Sequence, residues 1–312
     1  MHSLVIPVYR NADSLPELLD AIAALAARLD QPLEAVFVVD GSPDQSYALL
    51  RERLPSLPFA SQLLVHSRNF GAFAAIRSGL AAARGEQLAV MAADLQEPIE
   101  LAERFFALLA RDEADVVVGT RSARADPFAS RMASALFWRA YRAWVQPDIP
   151  PGGVDVFGCT RAFRDDLLAL GEANSSLIGQ LFWLGQRRAV VPYERLARKH
   201  GRSAWSFSRK LKYLMDSLFA FSDLPVRLLM LIGMLGLVTA FVLGATVLGA
   251  RLLGAVPIPG YAMTMITLLF FGALNTFGLG LIGAYVWRAY ENTKQRPLAV
   301  VYRSHAFDGV SR

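Results

Sequence analysis

Cysteine is nearly absent from this chain of 312 residues: the single Cys159 has no partner for an internal disulfide and cannot build a cysteine-rich metal site. No Gly-x-Gly-x-x-Gly follows the first strand-like run, which argues against a dinucleotide-dependent dehydrogenase, and no Walker phosphate loop occurs. Helix-turn-helix, zinc-finger and aromatic RNA-binding signatures are missing too, so nucleic acid is not an expected partner. The residues from Met1 to Pro7 have neither a basic stretch nor a cleavage site, and read as the start of a strand rather than a signal peptide. The most informative scarcity is charge. From Leu228 to Trp287 only Arg251 is charged, in a chain with 32 Lys+Arg and 27 Asp+Glu.

Leu228–Ala250 is long enough to cross a hydrocarbon core of about 30 Å as a helix rising about 1.5 Å per residue, and Ala262–Trp287 repeats the pattern. Pro257, Pro259 and Gly260 mark a tight reversal between them, over Arg251–Tyr261. Basic residues lie mainly outside the pair: Arg209, Lys210, Lys212 and Arg227 before it, Arg288, Lys294, Arg296 and Arg303 after it. This pattern places both termini, and the domain ahead of the pair, on the cytoplasmic side of an inner membrane crossed more than once. Trp205–Phe221 has apolar residues at helical spacing and a lysine/arginine face, and reads as a helix lying on that lipid surface. Gly233, Gly236, Gly244, Gly249, Gly272, Gly278, Gly280 and Gly283 supply small faces for helix contact, which suits a homo-oligomer.

Ahead of the apolar pair, strand-like runs at Leu4–Val8, Ala35–Val39, Gln62–His66, 87–92, Asp115–Gly119 and Ala189–Tyr193 alternate with helical ones. The helices are expected at Leu15–Leu29, Ala72–Ala83, 99–110 and Phe163–Leu170, with Ser14 or Asp13 as the first cap and Pro16 in the first turn. Strands alternating with helices of this length predict an α/β domain with a mostly parallel sheet. The sharpest strand end is Leu88–Pro98, where an apolar run breaks into Asp94, Gln96, Glu97 and Pro98. One Asp after a strand is ordinarily a helix cap or turn residue. Here, however, polar pairs recur at the strand ends: Tyr9/Asn11, Asp40/Ser42, Arg68/Asn69, Asp94/Gln96 and Thr120/Arg121. The carboxyl edge of an open α/β sheet is where ligands bind, so the repetition predicts a nucleotide crevice.

Two further stretches read two ways. Ser130–Val145 sets Arg131, Arg139 and Arg142 among aromatic residues; it is either a core-packing helix with solvated arginines or a helix near lipid head groups. Arg195–Trp205 is a basic run around Gly201, either solvated or able to close over a diphosphate. In the loop Pro150–Asp155, Gly152 and Gly153 permit close backbone approach to a ligand.

Taken in order, Ile6-Pro7-Val8-Tyr9, Val39-Asp40-Gly41-Ser42-Pro43-Asp44, Ser67-Arg68-Asn69-Phe70-Gly71, Ala93-Asp94-Leu95-Gln96-Glu97-Pro98, Gly119-Thr120-Arg121, Gly153–Asp155, Pro192–Arg195 and Gly201–Trp205, followed by the apolar pair, resemble the family 2 glycosyltransferases that act on polyisoprenyl phosphates. That group includes dolichol-phosphate mannose synthases and bacterial undecaprenyl-phosphate glycosyltransferases of cell-envelope glycan synthesis, and the resemblance runs from Leu4 to about Tyr302. It implies a GT-A fold and inverting transfer of a sugar from a nucleotide-sugar, UDP-linked before GDP-linked, to a polyisoprenyl phosphate at the lipid bilayer. By the same resemblance Pro7, Tyr9, Asp40 and Ser42 hold the base and ribose, with Arg68, Asn69 and Gly71 nearby, and Arg198, Ser203 and Trp205 complete the donor pocket. Asp94 and Gln96 bind Mg²⁺ or Mn²⁺ against the diphosphate. Arg121 and Arg131 hold the acceptor phosphate, with Arg131 equally readable as a surface arginine. Asp94 and Asp155 carry the chemistry, Asp155 as an orienting residue or weak base, because a phosphate oxygen is already an anionic nucleophile.

The chain departs from its relatives at Ala92, where an acid is usual, and at Val39, where the family commonly has a second acid before Asp40. Val154-Asp155-Val156-Phe157 keeps the Asp of the acceptor loop and loses its Arg, and Ala72-Phe73 follow Gly71 where a basic residue is frequent. Whether Glu97 stands in for the missing acid is a question for the structure. The expected division is a catalytic domain over 1–204, an interfacial helix over 205–225, a two-helix hairpin over 226–290 and a tail over 291–312. Transfer to another membrane lipid, and a non-catalytic nucleotide-sugar-binding scaffold suggested by Ala92, are the alternatives.

Overall fold

The computed structural model describes residues 1–121, 138–139, 141–143, 146–150, 153–154, 156–196, 207–253 and 260–309, excepting the side chains of 207–213, 247, 251, 261–262, 266 and 269. Its centre is an eight-stranded sheet: β1 (His2–Val8), β2 (Leu33–Val39), β3 (Ala60–His66), β4 (Gln87–Val90), β5 (Val116–Arg121), β6 (Val156–Thr160), β7 (Arg188–Tyr193) and β8 (Val301–Phe307), in the spatial order β7-β5-β6-β4-β1-β2-β3-β8. β1 pairs in parallel with β2 and β4, β2 with β3, and β5 with β7; β6 and β8 run against their neighbours. The α/β expectation with a mostly parallel sheet is met. All seven residues of β2 are buried, as in a parallel strand covered on both faces, and its one charged residue, Glu34, is hydrogen-bonded to Ser3, Gln62 and Arg84.

Alternation along β1 distributes its side chains between two cores. Leu4, Ile6 and Val8 join the core under α1 (Leu15–Arg28), α2 (Ser46–Arg53) and α4 (Glu100–Ala110), whereas Val5 joins the opposite core with α3 (Ala72–Ala82), α5 (Arg161–Ala169) and α6 (Leu177–Trp183). α1 buries Leu15, Leu18, Leu19, Ile22 and Leu25, a stripe at helical spacing. Gly79 lets α3 lie directly on β1, since a Cβ there would run into Val5.

Two strands escape the sequence reading. β6 is antiparallel to both β4 and β5. β8 comes from the residues read as a C-terminal tail: after the long helices the chain returns and pairs antiparallel with β3, from Ser61↔Phe307 to His66↔Val301. The sheet is therefore completed by the far end of the chain.

Three helices follow β7: α7 (Phe207–Phe221), α8 (Leu224–Leu252) and α9 (Tyr261–Thr293). α8 and α9 contain apolar stretches, Leu224–Ala250 and Met263–Thr293, long and apolar enough to cross a membrane. Phe271 lies beside Gly236 and Leu229 beside Gly278 where they touch, and most of their remaining apolar surface is exposed, Phe241 at 77% and Leu252 at 79%. The sheet domain is fastened to this stem. Phe221 sits on Gly179 of α6, Arg288 pairs with Asp216 at 2.8 Å and donates to the Asn174 carbonyl at 3.2 Å, and the Ala173 N–H donates to Asn292 Oδ1 at 3.0 Å.

Candidate functional site

The strand order reverses at β1, which has β2 on one side and β4 on the other, and a crevice opens at such a switch point. Its rim is built from sharp turns. Arg10 after β1, Gly41 after β2, Gly71 after β3 and Leu95 after β4 all have positive φ, at 57°, 58°, 99° and 55°. For Arg10 and Leu95 this conformation is uncommon, and it turns the chain back within a residue or two of the strand. At Gly41 a side chain is excluded twice: φ is left-handed, and a Cβ would lie 2.8 Å from Arg68 Cα and closer still to the Arg68–Asn69 peptide. The turns after β2 and β3 are thus in backbone contact.

Asp40 holds those turns. Its Oδ1 accepts from the Phe70 N–H at 2.8 Å and faces His66 Nδ1 at 2.8 Å, while Oδ2 accepts from the Gly71 N–H at 2.8 Å. Burial raises the cost of its charge, but the bonds from His66, Phe70 and Gly71 outweigh it and hold the carboxyl below its ordinary value. The side chain is 3% exposed. Asp40 was expected at the base and ribose; instead its carboxylate points inward and shapes the turn that would meet them. Ser42 also bridges: its Oγ accepts from the Arg10 N–H at 2.7 Å and donates to Asp44 Oδ1 at 2.6 Å, while Asp44 Oδ2 accepts from the Ala12 N–H at 3.0 Å. Burial again opposes the charge of Asp44, and the hydrogen bonds led by Ser42 hold its carboxyl low.

Other expected donor residues are on the same rim. Pro7 sits opposite Val38 in the sheet, and the Tyr9 N–H donates to Asn11 Oδ1 at 3.0 Å. Arg68 is exposed with its guanidinium 4.0 Å from the Phe70 ring, and Asn69 and Gly71 are half-buried beside it. Ser14 does not cap α1 with its side chain; it donates to the Ala93 carbonyl at 2.7 Å, joining the start of that helix to the turn that carries Asp94. Gly153 has φ +81°, but the group that its missing Cβ admits is the Trp138 indole and not a ligand. Tyr141 is buried in the core and Arg139 is exposed, so the described part of that helix packs inward with a solvated arginine.

Asp94 is half-buried, and its Oδ1 faces the Gln96 N–H at 3.4 Å. Gln96 is 8% exposed and Glu97 3%. Gln96 Oε1 accepts from Arg195 Nη2 at 2.6 Å, its carbonyl accepts from the Leu196 N–H at 2.8 Å, and Glu97 Oε1 lies 3.9 Å from Arg195 Nε. These contacts decide how well the edge suits a divalent ion. Mg²⁺ and Mn²⁺ take hard oxygen donors, commonly one or two carboxylates completed by substrate phosphates, and the half-buried Asp94 fits that description. Gln96, the expected second ligand, already faces a guanidinium whose positive charge opposes a cation on the same oxygen. Glu97 is turned toward Arg195, with its Oε1 3.9 Å from Nε. No cluster of three or more His, Cys, Asp or Glu exists among the described residues.

Arg121 ends β5, half-buried, paired with Tyr193 of β7 in the same sheet. Arg131, Asp155, Arg198, Ser203 and Trp205 lie outside the described residues. Their described neighbours are informative: Val156 opens β6, whose Phe157 pairs with Val90 at the end of β4, and Leu196 is bonded to Gln96. One contributor escaped the sequence reading. Tyr302 of β8 lines a pocket of about 360 Å³ with Gly41, Ser42, Tyr47, His66 and Arg68. Nothing local in the sequence around Tyr302 signals this; the antiparallel return of β8 puts it there.

Comparison with known proteins agrees with this geometry. Residues 3–170, from β1 through α5, match the family described as Glycosyl transferase family 2. The Bacillus subtilis protein CsbB, named provisionally as a glycosyltransferase, is 30% identical over 296 residues, covering 95% of this chain and 89% of that protein. The bactoprenol glucosyl transferase of Shigella phage SfII is 29% identical over 308 residues, covering 97% and 98%. A solved mannosyltransferase from Pyrobaculum calidifontis, in complex with GDP-Man and Mn²⁺, aligns at 21% identity and a TM-score of 0.48 over 93% of this chain and 85% of that one. With the match running through every strand of the β1–β4 crevice and covering more than half of the residues, the chain belongs to glycosyl transferase family 2.

Proposed function

We propose that this glycosyltransferase moves a sugar from a nucleotide-sugar to a polyisoprenyl phosphate, with inversion, at the cytoplasmic face of a membrane. The observation that carries the reading is the union in one chain of a strand-end crevice and two long apolar helices, matched over nearly its whole length by relatives named for glucosyl transfer to bactoprenol. A soluble donor would enter at the turns after β1, β2 and β3, and a lipid acceptor would arrive from the stem. The return of β8 into the sheet supports an even number of crossings, because both outer ends of the helix pair connect to one domain. The lysine and arginine flanks favour the cytoplasm for that side.

In the reaction an acceptor phosphate oxygen attacks the anomeric carbon as the bond to the nucleoside diphosphate breaks. The nucleophile is anionic already, so the work of the protein is to align the two substrates and to stabilise the departing diphosphate. A divalent ion, when bound at Asp94, would neutralise charge on that leaving group. Arg121 and Arg131 are proposed at the acceptor phosphate, Asp155 as the residue that orients it, and Arg198, Ser203 and Trp205 beside the donor. A UDP-sugar is the favoured donor, and UDP-glucose is the first to test. Membranes containing the protein are incubated with labelled UDP-glucose, other UDP-sugars or GDP-mannose and undecaprenyl phosphate, then extracted into organic solvent. Labelled lipid that depends on added undecaprenyl phosphate is expected; label only on phosphate-free lipids, or none with any donor, would reject the reading.

A further inference from the structure

We infer that Arg195 is a positioning residue for the transfer, and that Gln96 serves it as a latch rather than holding the cation. The assignment rests on the proposed nucleotide-sugar donor. Arg195 lies two residues past the end of β7 and reaches across to the turn after β4, a separation of 99 residues in sequence. Three contacts converge there: Arg195 Nη2 to Gln96 Oε1 at 2.6 Å, Arg195 Nε facing Glu97 Oε1 at 3.9 Å, and the Leu196 N–H to the Gln96 carbonyl at 2.8 Å. A fourth, weaker bond runs back from Gln96 Nε2 to the Leu196 carbonyl at 3.4 Å. Both partners are buried, Gln96 at 8% and Glu97 at 3%, while the Arg195 side chain is 30% exposed.

Two side-chain contacts and a backbone bond to one turn are more than a solvated basic run requires. A guanidinium near a buried carboxylate and hydrogen-bonded to a buried amide is anchored, since breaking it gives up a short charge-assisted bond to a side chain shielded from water. The anchor sits just ahead of the basic segment 198–205, one residue before Leu196 and three before Arg198. It also sits beside Asp94. The latch thus fixes where the chain enters the segment expected at the diphosphate, and it does so from the same turn that carries the carboxylate. Glu97 contributes to the charge balance: a carboxylate at this depth is costly, and the facing guanidinium offsets part of that cost.

The test uses the full chain in detergent or membranes with UDP and Mn²⁺ as probes. Variants are Arg195→Met, Arg195→Lys, Gln96→Met and the double Arg195→Met/Gln96→Met, with Asp94→Asn as the metal reference. The donor KM should rise at least tenfold in each single Met variant, with the acceptor KM unchanged. The double variant should be no worse than the poorer single, because both remove one contact. Arg195→Lys, which keeps the charge, should recover part of the loss. Mn²⁺ affinity in the presence of UDP, read by electron paramagnetic resonance, should stay within twofold for Gln96→Met and fall at least tenfold for Asp94→Asn. Multiplicative losses in the double variant, or a tenfold loss of Mn²⁺ affinity in Gln96→Met, would overturn the latch. Should a Met variant fail to fold, Arg195→Lys and Gln96→Glu carry the same comparison, and Gln96→Glu with wild-type donor KM supports it. A wild-type protein that binds neither UDP nor Mn²⁺ defeats the donor reading itself, whereas wild-type binding with unaltered Arg195 variants defeats only this inference.

Discussion

Asp40 holds the turn beside the crevice through a buried carboxylate. Its carboxylate takes two N–H groups from the 67–71 turn and one contact from His66. Asp40→Asn replaces a charged acceptor by an amide that cannot serve all three, at about 2 kcal/mol for lost charge-assisted bonds. The expected result is a fall of several degrees in melting temperature together with at least tenfold weaker UDP binding. Gly41→Ala should weaken UDP binding similarly, because the added methyl must displace the Arg68–Asn69 backbone; isothermal titration of each variant with UDP checks both. Acid stability follows from the same class of residue. Glu34 is fully buried at the other end of β2, accepting from Ser3, Gln62 and Arg84. Burial opposes its charge, and those bonds more than offset it, so the folded carboxyl lies below its ordinary value, as do Asp40 and Asp44. A lowered folded value means that the unfolded chain takes up protons first. The contribution is therefore constant above the ordinary carboxylate range near pH 4 and is lost as pH falls below it. Melting temperature should be flat from pH 7 to 5 and drop steeply below pH 4, with a shallower drop in Glu34→Gln.

Among the elements, β8 carries the least expected consequence. Its pairing with β3 covers what would otherwise be an open sheet edge, and Tyr47 ties it to α2, with its hydroxyl 3.2 Å from His305 Nε2. Truncation after Ala299 should leave both long helices in place, expose the β3 edge and remove Tyr302 from the pocket. Weaker UDP binding and a shift toward aggregates on size exclusion are expected, and wild-type behaviour in both would show that β8 is dispensable. Most elements were legible in sequence because their cores are periodic: α1 and α4 have stripes at helical spacing, and β1 to β3 each hold a mainly apolar run that ends in a polar turn. β6 and β8 were not. Val156–Thr160 is a short run, and Val301–Phe307 mixes Tyr, Arg, Ser and His with residues mostly exposed, as an edge strand does. Their identity comes from the strands beside them.

For the molecule as a whole, the decisive contrast is between a domain with two buried cores and a stem that buries almost none of its apolar surface. Exposed apolar area on this scale is far beyond the few hundred Å² tolerated on a soluble monomer, which is why a membrane is the proposed solvent for α8 and α9. A labelling experiment tests the arrangement cleanly because Cys159, the single native thiol, is buried and its pKa is pushed up to about 12 by that burial. In intact cells an impermeant maleimide should label Pro257→Cys between the helices but not Ser304→Cys on β8; the latter should react only after permeabilisation. The reverse pattern would invert the proposed orientation.

Composition and pattern alone were sufficient for the α/β class, the crevice at the strand ends and the apolar pair, since each arises from local periodicity or from a residue type repeated at equivalent places. The family resemblance named Asp94 and Gln96 together, and nothing in their spacing distinguishes them. The fold gives them different exposures: Asp94 is half-buried at the crevice edge, and Gln96 is buried against an arginine 99 residues away. Asp40 was likewise assigned to the ligand, and the fold turned its carboxylate inward. Whether a polar side chain faces a substrate or holds a neighbouring turn depends on contacts between distant segments, and those exist only once the sheet has assembled.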